Sequence, residues 1–351
     1  MRIVHCILSF NVGGAETMLI DIVNEQIKQN DITLIIINNS YDKSLIANID
    51  KRVCIKKLRR KQGSRSIFPI LKFNWELIKA RPDIIHIHSD AVPRLIFPFF
   101  KGKRIMTIHC TKHPLTYVNN VDLLIAISDA VAKDIKKRTN TKVITIPNGI
   151  NISAISKRTS DSNDSNKFRI VNVARLNSIE KGQDLLIKSI KLLKDKGYSN
   201  IIVDFIGEGP SEDFLKNLVQ SYDLEDNINF LGLKNRTYIY THLKDYNLMC
   251  HPSYREGFGL TVAEGMAAKI PVLVSTGDGP FEIIQQGEYG SFFEDMNVND
   301  CARNIEYIYN NYKSVYLKTE SAFLHISKNY SLNSMVEKYQ EVYSSIKIKN
   351  N

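Results

Sequence analysis

Residues 3–37 read IVHCILSFNVGGAETMLIDIVNEQIKQNDITLIII. An apolar run over 3–10 breaks at the turn Asn11-Val12-Gly13-Gly14. Residues 15–28 then set Met18, Leu19, Ile22, Val23 and Ile27 at helical spacing, and 33–37 is a second apolar run. Strand, glycine turn, helix, strand is the opening of a doubly wound α/β sheet.

The pattern continues outward. Strands are expected at 53–58, 84–88, 103–109, 123–127 and 143–146, with a helix at 129–137. Residues 153–167 (SAISKRTSDSNDSNK) are polar and read as an interdomain linker. The alternation then restarts: strands at 168–174, 201–206, 228–231, 248–251 and 272–275, and helices at 182–196, 211–221, 236–244, 260–268, 300–311, 313–328 and 331–346. Two parallel sheets, each covered on both faces, are the expected architecture. At 351 residues, two domains is also what the length predicts.

With 43% hydrophobic and 24% charged residues the composition is that of a globular protein. Charge is unevenly placed: residues 1–150 carry 24 Lys and Arg against 12 Asp and Glu, and the remainder 23 against 25. A basic first half predicts an anionic partner there. Five scattered cysteines without a Cys-x-x-Cys pair indicate neither a disulfide framework nor a zinc site, and fit a reducing compartment. The N-terminal apolar run is short and runs into a glycine loop, so no signal peptide is expected. No apolar run reaches the ~18 residues of a spanning helix; the greasiest stretch, residues 95–100, is either core or a shallow membrane contact.

Chemistry-bearing residues gather where strands end. Residues 251–269 read HPSYREGFGLTVAEGMAAK, with Glu256 and Glu264 on either side of Gly257-Phe258-Gly259 and a helix-like run from Leu260. A glycine turn entering a helix is a natural anion cradle, although a capped core helix would read the same way. In residues 174–182 (ARLNSIEKG), Arg175 ends a strand and Lys181 starts the next helix. Fork and point charge together suit a diphosphate, or are two solvated cations. Gly13-Gly14 lacks the third glycine of a dinucleotide fingerprint, and Asn38-Asn39 stand where an acidic ribose ligand is expected, which argues against NAD. His109 ends a strand and suits a sugar hydroxyl or a packing role. His86 and His88 face one side of a strand; with no third ligand evident, packing is favoured over a metal. No Asp-x-Asp occurs, which argues against a metal bridging a nucleotide diphosphate.

A basic cluster, Lys56, Lys57, Arg59, Arg60 and Lys61, precedes apolar residues 67–71 and the aromatics Phe73 and Trp75. Cations beside aromatics suit an anionic bilayer or a solvated loop. No nucleic-acid-binding motif accompanies the charge, so nucleic acid is not an expected partner.

In combination, GGAE after the first strand, PNGI at 147–150, ARLNSIEKG, IGEGP at 206–210, FLG at 230–232, EGFGLTVAE and the 279–284 segment GPFEII resemble the retaining glycosyltransferases of family 4, with the GT-B fold. The resemblance runs from about residue 2 to 345. It implies two Rossmann-like domains facing each other across a cleft: an acceptor-binding domain (1–158), a nucleotide-sugar domain (166–330), and a last helix (331–351) that crosses back to the first. It implies that Arg175 and Lys181 hold the donor diphosphate and that Glu264 binds the ribose. Glu256, with the backbone of Gly257, Phe258, Gly259 and Leu260, orients the donor sugar and phosphates. Gly207 and Leu233 belong to the nucleotide site, His109 reaches the sugar, and Gly14 lets donor and acceptor meet. Family members often have Ala where this chain has Gly265.

The implied reaction is sugar transfer from a nucleotide-diphosphate donor to an acceptor hydroxyl with retained anomeric configuration. The UDP form is favoured over GDP, and no cofactor or metal is required. With the basic first half, the expected acceptor is a polyprenyl-diphosphate-linked oligosaccharide in O-antigen, capsule or exopolysaccharide synthesis. The expected location is cytoplasmic, at the inner membrane face, where Lys56, Lys57, Arg59, Arg60 and Lys61 meet the anionic surface. The competing expectations are a sugar-nucleotide epimerase on the same fold and a non-catalytic nucleotide-sugar-binding partner.

Overall fold

The computed structural model describes residues 1–160 and 166–348. The chain divides into two compact units, Met1–Gly149 with the segment from Leu332 onward, and Ile150–Ser331.

The first unit holds seven strands: β1 (Arg2–Ile7), β2 (Asp31–Asn38), β3 (Cys54–Arg60), β4 (Ile84–Ile87), β5 (Lys103–Ile108), β6 (Leu123–Ala126) and β7 (Val143–Thr145). Their order is β3-β2-β1-β4-β5-β6-β7, and every pairing is parallel. Central strands read as near-continuous apolar runs because both faces are covered; Ile3, Leu34, Ile85 and Ile105 are fully buried. Strand β1 stops at Ile7, short of the expected residue 10, because the Leu8 amide donates to Ser89 Oγ and leaves the ladder.

Two helices of this unit are absent from the sequence reading, Lys43–Ala47 and Phe68–Ala80. The second escapes a periodicity search because apolar residues occupy almost all its faces. Pro69 at its first turn and Arg81 in the left-handed conformation mark its ends. The C-terminal helix Leu332–Ile348 packs on this unit's own sheet and first helix. Met335, Tyr339 and Tyr343 are buried at four-residue spacing, and Asn30 Nδ2 donates to Gln340 Oε1 at 3.1 Å.

The second unit holds six strands: β8 (Phe168–Val173), β9 (Ile201–Ile206), β10 (Ile228–Phe230), β11 (Leu248–His251), β12 (Val272–Ser275) and β13 (Ser291–Phe293). Their order is β10-β9-β8-β11-β12-β13, again all parallel. Strand β13 and the helix Asp278–Ile283 were not expected: the strand has three residues with Phe292 exposed, and the helix carries Gly279-Pro280. The expected helix over 313–328 is two, Tyr312–Leu317 and Thr319–Asn329. At the break the Thr319 hydroxyl donates to Tyr316 O at 2.7 Å, a side-chain bond that competes with the helix backbone.

The division at Gly149 falls before residue 158, and the reason is local. Ile150 N donates to Tyr330 O, Ser156 N to Tyr240 O and Arg158 N to Ala268 O, so this stretch belongs to the second unit. Residues 161–165 of the expected linker lie outside the described residues. No described helix is long and apolar enough to cross a membrane.

Strand order reverses between β1 and β4 in one unit and between β8 and β11 in the other. In open parallel sheets, ligands bind beyond the strand C-termini at such points. The residues singled out from the sequence in each unit, the basic cluster apart, lie on these loops or beside them.

Candidate active site

In the second unit, β8 and β11 are neighbours, so the loops that follow them meet. The first runs from Ala174 through the one-turn helix Ser178–Lys181 to Gly182. The second runs from Pro252 to Gly259 and feeds the helix Leu260–Ala267. Gly182 sits at φ +64°, and a Cβ there would lie 2.1 Å from Pro252 O. Only glycine permits this approach. The amides of Tyr254 and Arg255 then reach Glu180 O at 2.9 and 3.2 Å.

This contact brings Lys181 to Glu256. Lys181 Nζ lies 2.5 Å from Glu256 Oε2 and 3.5 Å from Arg255 O. His251, buried at the end of β11, places Nε2 3.7 Å from the same carboxylate oxygen and 2.9 Å from Ser253 Oγ. Burial would raise the Glu256 pKa, but His251 and the charge of Lys181 outweigh it and hold the carboxyl at about 2. Glu256 is therefore an anion at neutral pH, a hydrogen-bond acceptor and not a proton donor.

Arg175 is exposed, with no ion pair among the described residues, while its carbonyl accepts from Gln183 Nε2 at 3.0 Å. Its backbone is thus fixed beside Lys181 while its guanidinium is available. The helix Leu260–Ala267 has no side-chain cap, and Gly259 enters it at φ +100°. Val262 and Ala263 N donate to Gly259 O at 3.0 and 3.2 Å, which leaves the amides of Leu260 and Thr261 to meet an anion. Gly257, Phe258 and Gly259 are buried, so the Phe258 ring packs on Tyr330 (centroids 5.6 Å apart) and only its backbone can serve a ligand. Gly279 N donates to Glu256 O at 3.0 Å, and a Cβ on Gly279 would lie 2.5 Å from Phe258 Cα.

The loop after β9 closes on the same place. Gly207, at φ +143°, would set a Cβ 2.1 Å from Ala174 O. Gly207 N donates to Gly232 O at 3.0 Å, and Leu233 N reaches Glu208 Oε1 at 3.4 Å. Leu233 is 58% exposed, leaving an apolar surface beside a hydrogen-bonding turn. Glu264 is buried within the Leu260–Ala267 helix, just beyond its first turn. Gly265, the departure from Ala, has a structural reason: a Cβ would stand 2.8 Å from Met249 Sδ and 3.2 Å from Val272 Cγ1, so glycine seats the helix closely on β11 and β12.

Gly14 and His109 stand in the first unit. Gly13 is the N-cap of the helix Gly14–Gln26, with no side-chain cap bond. His109 follows β5, half-buried, and its Nε2 is enclosed without a hydrogen-bond partner. Burial, with His113 nearby, lowers its pKa to about 4, so the imidazole is neutral. An enclosed, unpartnered nitrogen on a neutral ring fits a ligand hydroxyl.

His5 supplies the third imidazole that the sequence did not reveal beside His86 and His88; their ring nitrogens lie within 4.8 Å of one another. The hydrogen bonds favour packing over a metal. His5 Nε2 pairs with Gln26 Oε1 (2.8 Å) and its Nδ1 with His88 Nε2 (3.0 Å), while His86 pairs with Tyr343 OH (2.6 Å) and Thr107 Oγ1 (2.7 Å). Two of these partners come from flanking helices, so the stack fastens those helices to the sheet.

The basic cluster lies apart from these loops, on the edge strand β3. Lys56 approaches Glu76 at 3.8 Å, and Lys57 lies 5.0 Å from the Tyr41 ring centroid. Arg60 holds a turn through Asn38 Oδ1 and Ser64 O. Arg59 and Lys61 are exposed. The sequence reading missed His251 and Ser253; the available signal was a histidine at the end of β11, as His109 follows β5.

Comparison with known proteins divides the chain into the same two parts. Residues 12–154 match Glycosyltransferase Family 4, and residues 155–321 match Glycosyl transferases group 1. An uncharacterized glycosyltransferase of Haemophilus influenzae is 24% identical over 95% of this chain and 96% of its own. A poly(ribitol-phosphate) alpha-N-acetylglucosaminyltransferase of Staphylococcus aureus is 25% identical over 67% of this chain and 46% of its own. The crystal structure of Anabaena HepE in complex with UDP and glucose superposes with a TM-score of 0.84 at 19% identity, covering 98% of this chain and 100% of that one. The chain belongs to the glycosyltransferases of the GT-B fold, with a family 4 domain followed by a group 1 domain.

Proposed function

We propose that this glycosyltransferase takes a nucleotide-diphosphate sugar, UDP-linked in preference to GDP-linked, and transfers the sugar to an acceptor hydroxyl with retention. The observation that carries the reading is the Lys181–Glu256 pair at the β8/β11 reversal, next to an uncapped helix N-terminus and the exposed Arg175. Arg175, Lys181 and the amides entering Leu260–Ala267 would hold the diphosphate. Glu256, kept ionised, would accept hydrogen bonds from sugar hydroxyls, and Glu264 from the ribose. Gly207 and Leu233 would border the base. His109 and Gly14 would serve the sugar and the acceptor.

The acceptor oxygen forms a bond to the anomeric carbon on the face from which the diphosphate leaves. The carbon–oxygen bond to the diphosphate breaks, and the acceptor proton passes to a diphosphate oxygen. The protein contributes position and stabilisation of the departing anion. The liganded Anabaena neighbour and the Staphylococcus aureus relative that acts on poly(ribitol-phosphate) support a nucleotide donor and a surface-glycan acceptor. We place the acceptor on a polyprenyl diphosphate at an anionic membrane face, with the β3 cations toward the lipid. No metal is assigned a role.

The test is a panel of nucleotide sugars screened for thermal stabilisation, followed by transfer to lipid-linked acceptors with NMR assignment of the product anomer. Inversion would overturn retention. Donor conversion without acceptor would indicate epimerisation, and binding without turnover would leave a binding protein.

A further inference from the structure

The helix Phe68–Ala80 buries Phe73, Asn74 and Leu77 against its own unit. Its opposite face is also apolar. Phe68, Leu71, Trp75 and Ile78 are 76, 47, 55 and 43% exposed. At about 100° per residue these four fall within about 80° of arc, a continuous stripe along three turns. Lys79 and Lys72 occupy the next sector, both exposed, with Lys79 Nζ 5.4 Å from the Trp75 ring centroid. A helix apolar on opposite faces is ordinarily enclosed on both. Here one face is enclosed and the other is bare.

The helix is anchored so that the stripe stays outward. Asn74 Nδ2 donates to Ile70 O and Leu95 O at 2.8 Å each, and Asn74 Oδ1 accepts from Phe97 N at 2.8 Å. The segment tied on in this way leads to Phe99, 62% exposed. On the other flank Glu76 meets Lys56 of β3.

We propose that the Phe68–Leu71–Trp75–Ile78 face inserts into the headgroup region of an anionic bilayer, with Lys72 and Lys79 at the lipid phosphates. The proposal rests on the reading that the first unit works at an anionic membrane surface, and it names the element that enters the lipid. An indole prefers the boundary between hydrocarbon and water. An amphipathic helix with cations along its apolar stripe is held by buried area and charge together. Charge complementarity selects lipid over a second copy of the chain: a two-fold contact through this face would bring Lys72 and Lys79 against their own kind.

Trp75 is the chain's one tryptophan, so its emission reports on this face alone. Full-length protein is mixed with vesicles of phosphatidylglycerol and phosphatidylcholine, and with phosphatidylcholine vesicles. The expected result is co-flotation with the anionic vesicles only, with Trp75 emission shifted to shorter wavelength and quenched by brominated acyl chains. Leu71→Gln with Ile78→Gln should weaken partitioning at least tenfold, with unchanged thermal unfolding and unchanged donor-induced stabilisation. Lys72→Gln with Lys79→Gln should lower affinity and reduce its salt dependence. Flotation with unmoved Trp75 emission, or a Leu71/Ile78 variant that partitions like the parent, overturns insertion by this helix and leaves the membrane reading intact. No flotation at all overturns both. A concentration-dependent dimer that the Leu71/Ile78 variant abolishes shows that the face covers a second copy, and overturns the proposal.

Discussion

The two units share a parallel strand order around their reversal points and differ in what stands there. Beyond β8 and β11 are charges: Lys181 against Glu256, with Arg175 free beside them. Beyond β4 and β5 are neutral imidazoles, His88 and His109, both held uncharged first of all by burial. The site we propose for the donor diphosphate thus lies in the near-neutral half of the chain. The basic half carries its densest cation cluster, Lys56 to Lys61, on and just past an edge strand. In the reading proposed above, net charge marks the surface a unit approaches, and the loops at the strand reversal mark the ligand it holds.

The largest expected effect is on the charged side. Lys181→Ala or Arg175→Ala should each lower kcat by roughly 10²–10³, the scale for losing one donor to a developing anion, with donor-induced stabilisation weakened as well. Near-parental turnover in both would break the contrast between the units. Glu256→Gln keeps the shape and removes the charge; it should lower kcat/KM by about tenfold or more and leave His251 in place.

Next is backbone fit. Gly182→Ala and Gly207→Ala place a Cβ about 2 Å from a carbonyl oxygen in a left-handed backbone, and should cost about 2–4 kcal/mol in urea unfolding. Gly197 has a positive φ but nothing within 4 Å of a Cβ, so Gly197→Ala should cost about 1 kcal/mol. Equal costs would show that the loops adjust.

Acid separates the units further. The folded His5 pKa is about 4, below its ordinary 6.5, because of burial. The unfolded chain binds the proton more readily, so this stability is complete above pH 6.5 and is lost as pH falls toward 4, roughly 3 kcal/mol in all. Glu256, lowered from 4.5 to about 2, gives stability complete above pH 4.5 and lost toward pH 2. The first unit should therefore begin to loosen at a higher pH than the second. Hydrogen exchange measured between pH 7 and 4 checks the order, and simultaneous loss would contradict it. Tyr343→Phe strands His86 Nδ1 in the core and should cost about 1–3 kcal/mol, confined to the first unit.

Much of this is legible in the amino-acid sequence. Both series of strands except β13, the Gly257–Gly259 turn, and the placing of Arg175, Lys181, Glu256 and His109 on loops that follow strands are legible in local pattern. Residues 67–75 stand out by composition, but with apolar residues on opposite faces the helix there shows no contrast for periodicity to find. His5 was silent for another reason: a histidine inside an apolar strand gives no sign of the partners it will meet, and those partners, Gln26 and His88, are 21 and 83 residues away.

By itself the sequence determined the α/β alternation, the two units and the loops that carry charge, because backbone propensity, turn chemistry and apolar period are local. Only the tertiary structure decided that Lys181 meets Glu256 across 75 residues of chain. It alone decided that Gly265 seats its helix against Met249 and Val272, that the last helix fastens to His86, and that one face of Phe68–Ala80 stays bare. Those outcomes depend on which elements become neighbours, and the strand order that makes them neighbours is set by packing the whole chain at once.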